Sequence, residues 1–145
     1  MRSCGTCTKC CDGWLSGEVR GHSMYPGKPC FFVTIGVGCN DYENRPENPC
    51  KDFRCVWLVD DEIPESKRPD LSNIVVTYAE LDGIYYTRLV SAGDKLDKDS
   101  LDWYISFYKD RSANIWFDSN GTNYVIGTEE FINKTVEKGY GTIRY

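Results

Sequence analysis

The sequence predicts an α+β fold: an N-terminal loop-rich cysteine/metal module packed on a small body of two β-hairpins and two helices. Three observations predict it. All eight cysteines fall between Cys4 and Cys55, and none occurs afterwards. The stretch they occupy is punctuated by Gly, Ser and Pro and carries little periodicity of its own. Beyond it, Asp82-Gly83 and Asn120-Gly121 each separate a pair of short β-branched or aromatic runs, and a segment of helical spacing follows each pair. The chain divides accordingly into residues 1–58, the module, and 59–145, the body, expected to form one integrated domain.

The opening reads Cys4-Gly-Thr-Cys7-Thr-Lys-Cys10-Cys11. A C-x-x-C turn presents two sulfurs to one ion, because the chain reverses over two residues and backbone N–H groups can face the thiolates. Three cysteines at this spacing also match the start of an iron–sulfur run. The vicinal Cys10 and Cys11 are awkward as two ligands of one tetrahedral ion; they fit better on two neighbouring sites, or one of them is a bystander. Residues 12–29 read as an irregular loop, with Trp14, Leu15, Met24 and Tyr25 expected to cover the cysteines from water. The only histidine, His22, lies there; a lone loop histidine is more often a surface residue than a ligand.

Cys30 to Cys39 reads as a short strand or hairpin arm ending in a glycine turn, since Phe31, Phe32, Val33, Thr34 and Ile35 suit a pleated segment. Pro46 and Pro49 force turns before Cys50, and Cys55 follows it either one helical turn on or across a knuckle. In order, then, come the opening cysteines, Gly38-Cys39, Tyr42-Glu43-x-Arg45-Pro46, Cys50-x2-Phe53-x-Cys55 and Trp57-Leu58. Over roughly residues 4–58 this series resembles the YkgJ-type cysteine-cluster family. The resemblance implies chelation of zinc or iron by the cysteines and no defined reaction.

Residues 59–70 form an acidic, proline-containing connector that could simply wrap the surface. Residues 73–79 and 84–90 are strand-like around Asp82-Gly83. Asp99 or Ser100 can cap a helix over residues 101–110, where Leu101, Tyr104, Ile105 and Tyr108 recur at i, i+3, i+4 and i+7. Residues 115–118 and 123–126 flank the second hairpin turn. Thr128 caps a last helix to about Lys138, with Glu129 and Glu130 in its first turn and Gly139 as its stop.

Composition narrows the functions. Lys and Arg outnumber Asp and Glu by seven to six through Leu58 and trail them by ten to sixteen beyond it, giving a net charge of −5. That balance argues against non-specific nucleic-acid binding, which needs a basic face. Within the module Lys9, Lys28, Arg45, Lys51 and Arg54 alternate with the cysteines and would offset thiolate charge. No run is apolar enough to span a membrane, and the residues before Cys4 hold no apolar signal segment, so a soluble, cytoplasmic, thiol-reducing setting is expected. There, clustered cysteines bind metal more readily than they form disulfides.

The site residues are therefore expected to be Cys4, Cys7, Cys10, Cys11, Cys30, Cys39, Cys50 and Cys55, holding two zinc ions, with an iron–sulfur cluster as the alternative. The expected role is a non-catalytic metal-binding protein whose module presents a surface to a protein partner. The alternatives are an iron–sulfur redox or accessory protein and a zinc enzyme with an open position involving His22. Tyr85, Tyr86, Trp103, Tyr104, Phe107, Tyr108 and Trp116 could be ligand platforms, but their spacing favours core positions. The acidic run 94–102 lacks the spacing of a calcium loop, and no phosphate loop or Ser/His/Asp grouping occurs.

Overall fold

The computed structural model describes residues 2–12, 16–25, 27–53, 55–93 and 97–145. Trp14, Leu15, Arg54 and residues 94–96 of the acidic run lie outside them. The first difference from the sequence reading falls at residues 12–29. Gly17–Val19 (β1) pairs antiparallel with His22–Met24 (β2), so this stretch contains a hairpin. Its turn is Arg20-Gly21, at φ of 50° and 80°. Two successive left-handed residues match the twist of a tight hairpin. Arginine is an uncommon choice for that conformation, and here its side chain is anchored by Asp41 at 2.6 Å and by the Asn44 carbonyl.

Val33–Thr34 (β3) pairs with Gly38–Cys39 (β4), making a complete small hairpin between Cys30 and Cys39. A 3-10 turn, Tyr42–Asn44, and a wide turn, Glu47–Lys51, carry the chain past Pro46 and Pro49. Cys55 then sits immediately before the short helix Val56–Val59 (α1). The connector does more than wrap the surface. Ile63 is fully buried, and a second short helix, Pro69–Ser72 (α2), buries Pro69 and Ser72 before ending at the left-handed Asn73.

The body is one five-stranded sheet. Ile74–Leu81 (β5) and Ile84–Ser91 (β6) form the first hairpin, with Asp82 and Gly83 both at positive φ. The helix Lys98–Lys109 (α3) returns the chain to Ile115–Ser119 (β7), which lies parallel to β6. Thr122–Ile126 (β8) closes the second hairpin through Asn120-Gly121. The helix Glu129–Glu137 (α4) leads to Ile143–Arg144 (β9), parallel to β8. Strand order follows chain order, β5-β6-β7-β8-β9.

Alternation along β7 separates two cores. Ile115 and Phe117 point to one face and meet Leu101, Tyr104, Ile105 and Tyr108 of α3, the i, i+3, i+4, i+7 stripe. Trp116 points to the other face, where Val125 and the α4 residues Phe131 and Ile132 pack. Thr128 caps α4 by accepting from Phe131 N at 3.2 Å. The α3 core extends beyond the sheet: Cys55, Val56, Trp57 and Ile63 belong to it, so the end of the module is built into the body's interior. No helix among the described residues is long and apolar enough to cross a membrane.

Candidate metal centre

All eight cysteines line a single cavity of about 820 Å³. None is in a disulfide; Cys30 and Cys55 are buried and the other six are partly exposed. They reach the cavity from five separate pieces of chain, each held by backbone contacts. Cys7 N donates to Cys4 O and Cys11 N to Thr8 O, both at 2.8 Å, which folds the opening run into successive turns. Cys30 N donates to Cys11 O at 2.7 Å and ties the β3–β4 hairpin to that run. The buried Thr8 hydroxyl accepts from Gly36 N at 3.0 Å and binds Asp12 at 3.2 Å. Cys55 is placed by α1, whose buried residues anchor it to the body core.

Two neighbourhoods emerge from which sulfurs act on which. Cys55 belongs with Cys10, Cys4 and Cys7. The Cys10 S–H bonds to Cys55, which raises Cys10 and lowers Cys55 to about 7, while Leu58 N donates to the Cys55 carbonyl at 3.0 Å and the Cys55 side chain makes no cap hydrogen bond. Burial and then the Cys55 charge raise Cys4; burial is also the chief cause at Cys7, with Asp70 and Cys55 adding to it. Cys11 instead feels the charge of Cys30, Cys4, Cys50 and Cys39, in that order. Burial first, then those charges, push Cys11 up to about 12. Burial, Cys30 and Cys39 raise Cys50. The vicinal pair therefore straddles the two groups, although Cys4 acts on Cys11, and Cys11 on Cys10, across the boundary.

Nearby cations oppose this crowding. Arg45 lowers both Cys4 and Cys50, and Arg20 lowers Cys50. Asp70 faces Cys7 while held in a two-point pair with Arg68, at 2.5 and 2.8 Å. Arg2 locks the floor, donating to the carbonyls of Trp57 (2.7 Å), Asp60 (3.1 Å) and Ile63 (2.6 Å) while its guanidinium covers the Trp57 ring at 4.5 Å. Arg2, Arg20, Arg68, Asp70 and Trp57 were not among the sequence candidates. Arg2, two residues from Cys4, and Trp57, two residues from Cys55, carried a positional hint.

Other expected contributors fall elsewhere. His22 is exposed and stacks flat on Phe31, with ring centroids 4.1 Å apart, and does not line the cavity. Met24 lines it, but Tyr25 is 51% exposed and packs on Lys28. Of the aromatic platform, Tyr104, Tyr108 and Trp116 are core. Trp103 and Phe107 stack at 4.8 Å, with the Arg111 guanidinium over Phe107.

In chemistry and number the donors suit soft, sulfur-seeking metals: eight sulfurs make two sets of four. Among the described residues, no group of three or more His, Cys, Asp or Glu side chains stands as a ready-made metal site. Compared with protein-family models, curated proteins and solved structures, the chain matches none.

Proposed function

We propose that this chain is a non-catalytic metal-thiolate protein whose eight cysteines hold two zinc ions and whose module presents a surface to a protein partner. One observation carries the reading: all eight cysteines, drawn from separate pieces of chain and free of disulfides, line one cavity. A site assembled from loops rarely exists in finished form without its ion, and binding draws the ligands together. Cys4, Cys7, Cys10 and Cys55 would form one set, and Cys11, Cys30, Cys39 and Cys50 the other. Four sulfurs per ion leave no position for water or substrate, which is why the role is structural. The partner surface is supported by Phe31, Ile35 and Val37 on the β3–β4 hairpin, which are 67%, 60% and 66% exposed beside the cavity.

A second reading has its own support. The first set is a C-x2-C-x2-C triplet completed by one remote cysteine, the ligand pattern of an iron–sulfur cluster. Protein purified without oxygen and analysed for metal and for sulfur coordination by X-ray absorption separates the two. The expected result is about two zinc ions per chain, each in a shell of four sulfurs. Iron with visible charge-transfer absorption would favour the cluster. A metal-free, disulfide-linked product that takes up neither metal after reduction would refute both.

A further inference from the structure

We infer that the Trp57 indole N–H is a positioning donor, preplaced to hydrogen-bond a thiolate of the Cys4–Cys7–Cys10–Cys55 set; the inference rests on the metal-thiolate reading above. Trp57 lines the cavity, is 4% exposed, and its Nε1 is buried with no hydrogen-bond partner. An indole N–H can only donate, and buried donors are rarely left unpaired. The ring has little freedom to seek a partner elsewhere. It lies in the first turn of α1, two residues after Cys55, and the Arg2 guanidinium covers it at 4.5 Å while bonding the carbonyls around it.

The indole shares its core cluster with Cys55, and Cys10 packs against that cluster. A thiol sulfur is a weak acceptor, whereas a thiolate bound to metal is anionic and accepts strongly. The donor therefore gains a partner when the set loses its protons to a metal, and it favours the loaded state over the empty one. Such donors to metal-bound ligands typically change affinity by about 10–100-fold when removed.

Trp57→Phe keeps the ring and deletes the donor, and Trp103→Phe on α3 serves as the control. The probe is zinc, titrated into reduced protein against a chromophoric chelator. Trp57→Phe is expected to weaken one of the two zinc sites by about 10–100-fold, while the metal-free protein unfolds no earlier than wild type because an unpaired buried donor has been removed. Unchanged affinity, or weakened affinity matched by equal destabilisation of the metal-free protein, would overturn the inference. The wild-type protein supplies a readout independent of that variant: on zinc loading the Trp57 indole proton should move downfield and exchange more slowly with solvent. Zinc uptake with that proton unmoved defeats the donor role alone. A wild-type chain that takes up no zinc defeats the metal reading and this inference with it.

Discussion

Chelating the metal from loaded, reduced protein is expected to unfold residues 2–53 and leave the five-stranded sheet standing. The module has little else to hold it. Its hairpins have strands of three and two residues, and isolated two-stranded hairpins are marginal in water. Phe31, Ile35 and Val37 are spent on the surface instead of a core. Structural zinc contributes about 10–16 kcal/mol in small peptides, as much as the whole stability of an ordinary domain, about 5–15 kcal/mol. The sheet has its own support on both faces, from α3 and from α4. Cys55 and Trp57 mark the boundary, because they line the cysteine cavity and also pack in the body core. Amide hydrogen exchange with and without a strong chelator tests this. Protection should collapse before residue 53 and persist in β5 to β8. Equal protection throughout, with and without metal, would show that the module folds by itself.

Local rules made much of the body legible. The stripe Leu101, Tyr104, Ile105, Tyr108 fixes α3 because those four must share a face, and all four are buried. Asp82-Gly83 and Asn120-Gly121 announce their hairpins because both positions of the turn need positive φ. What joins the hairpins into one sheet was not legible. Thr87–Leu89 pairs with Ile115–Phe117, and Tyr124–Val125 with Ile143–Arg144, across helices. Alternation shows that a strand has two faces without naming its neighbour. The final strand has two residues, both exposed, and leaves no pattern. Arg20-Gly21 hid the first hairpin because the left-handed arginine depends on Asp41 and Asn44, far along the chain.

The gathering of the cysteines followed a similar division. Spacing suggested that the opening run could turn sulfurs toward a common point. It gave no sign of the proposed division, with Cys55 beside Cys4, Cys7 and Cys10 and Cys50, five residues earlier, beside Cys11. The placement of Cys55 comes from α1, whose Val56 and Trp57 are committed to the body core. Cys50 lies on the wide turn Glu47–Lys51, which packs by the β1 hairpin.

Substituting the two vicinal cysteines singly is expected to separate the metals. Adjacent side chains leave the backbone in different directions, and here Cys55 acts most strongly on Cys10 while burial, then Cys30, Cys4 and Cys50, raise Cys11. Serine preserves size but offers a hard hydroxyl that does not ionise near neutral pH, so each substitution removes one soft ligand from one set. Cys10→Ser should lose the zinc of the Cys55 set and retain the other. Cys11→Ser should do the reverse, and the double variant should hold neither. Partners extend the test: Cys55→Ser should behave as Cys10→Ser does, and Cys50→Ser as Cys11→Ser does. Zinc per chain after gel filtration, with thiolate-to-cadmium absorption on reloading, reads each case. The charge effects across the boundary, of Cys11 on Cys10 and of Cys4 on Cys11, set the limit of independence. They predict a weakened second site rather than an unaffected one. If Cys10→Ser and Cys11→Ser each release both ions equally, the sulfurs act as one shared cluster and the division into two sets is wrong.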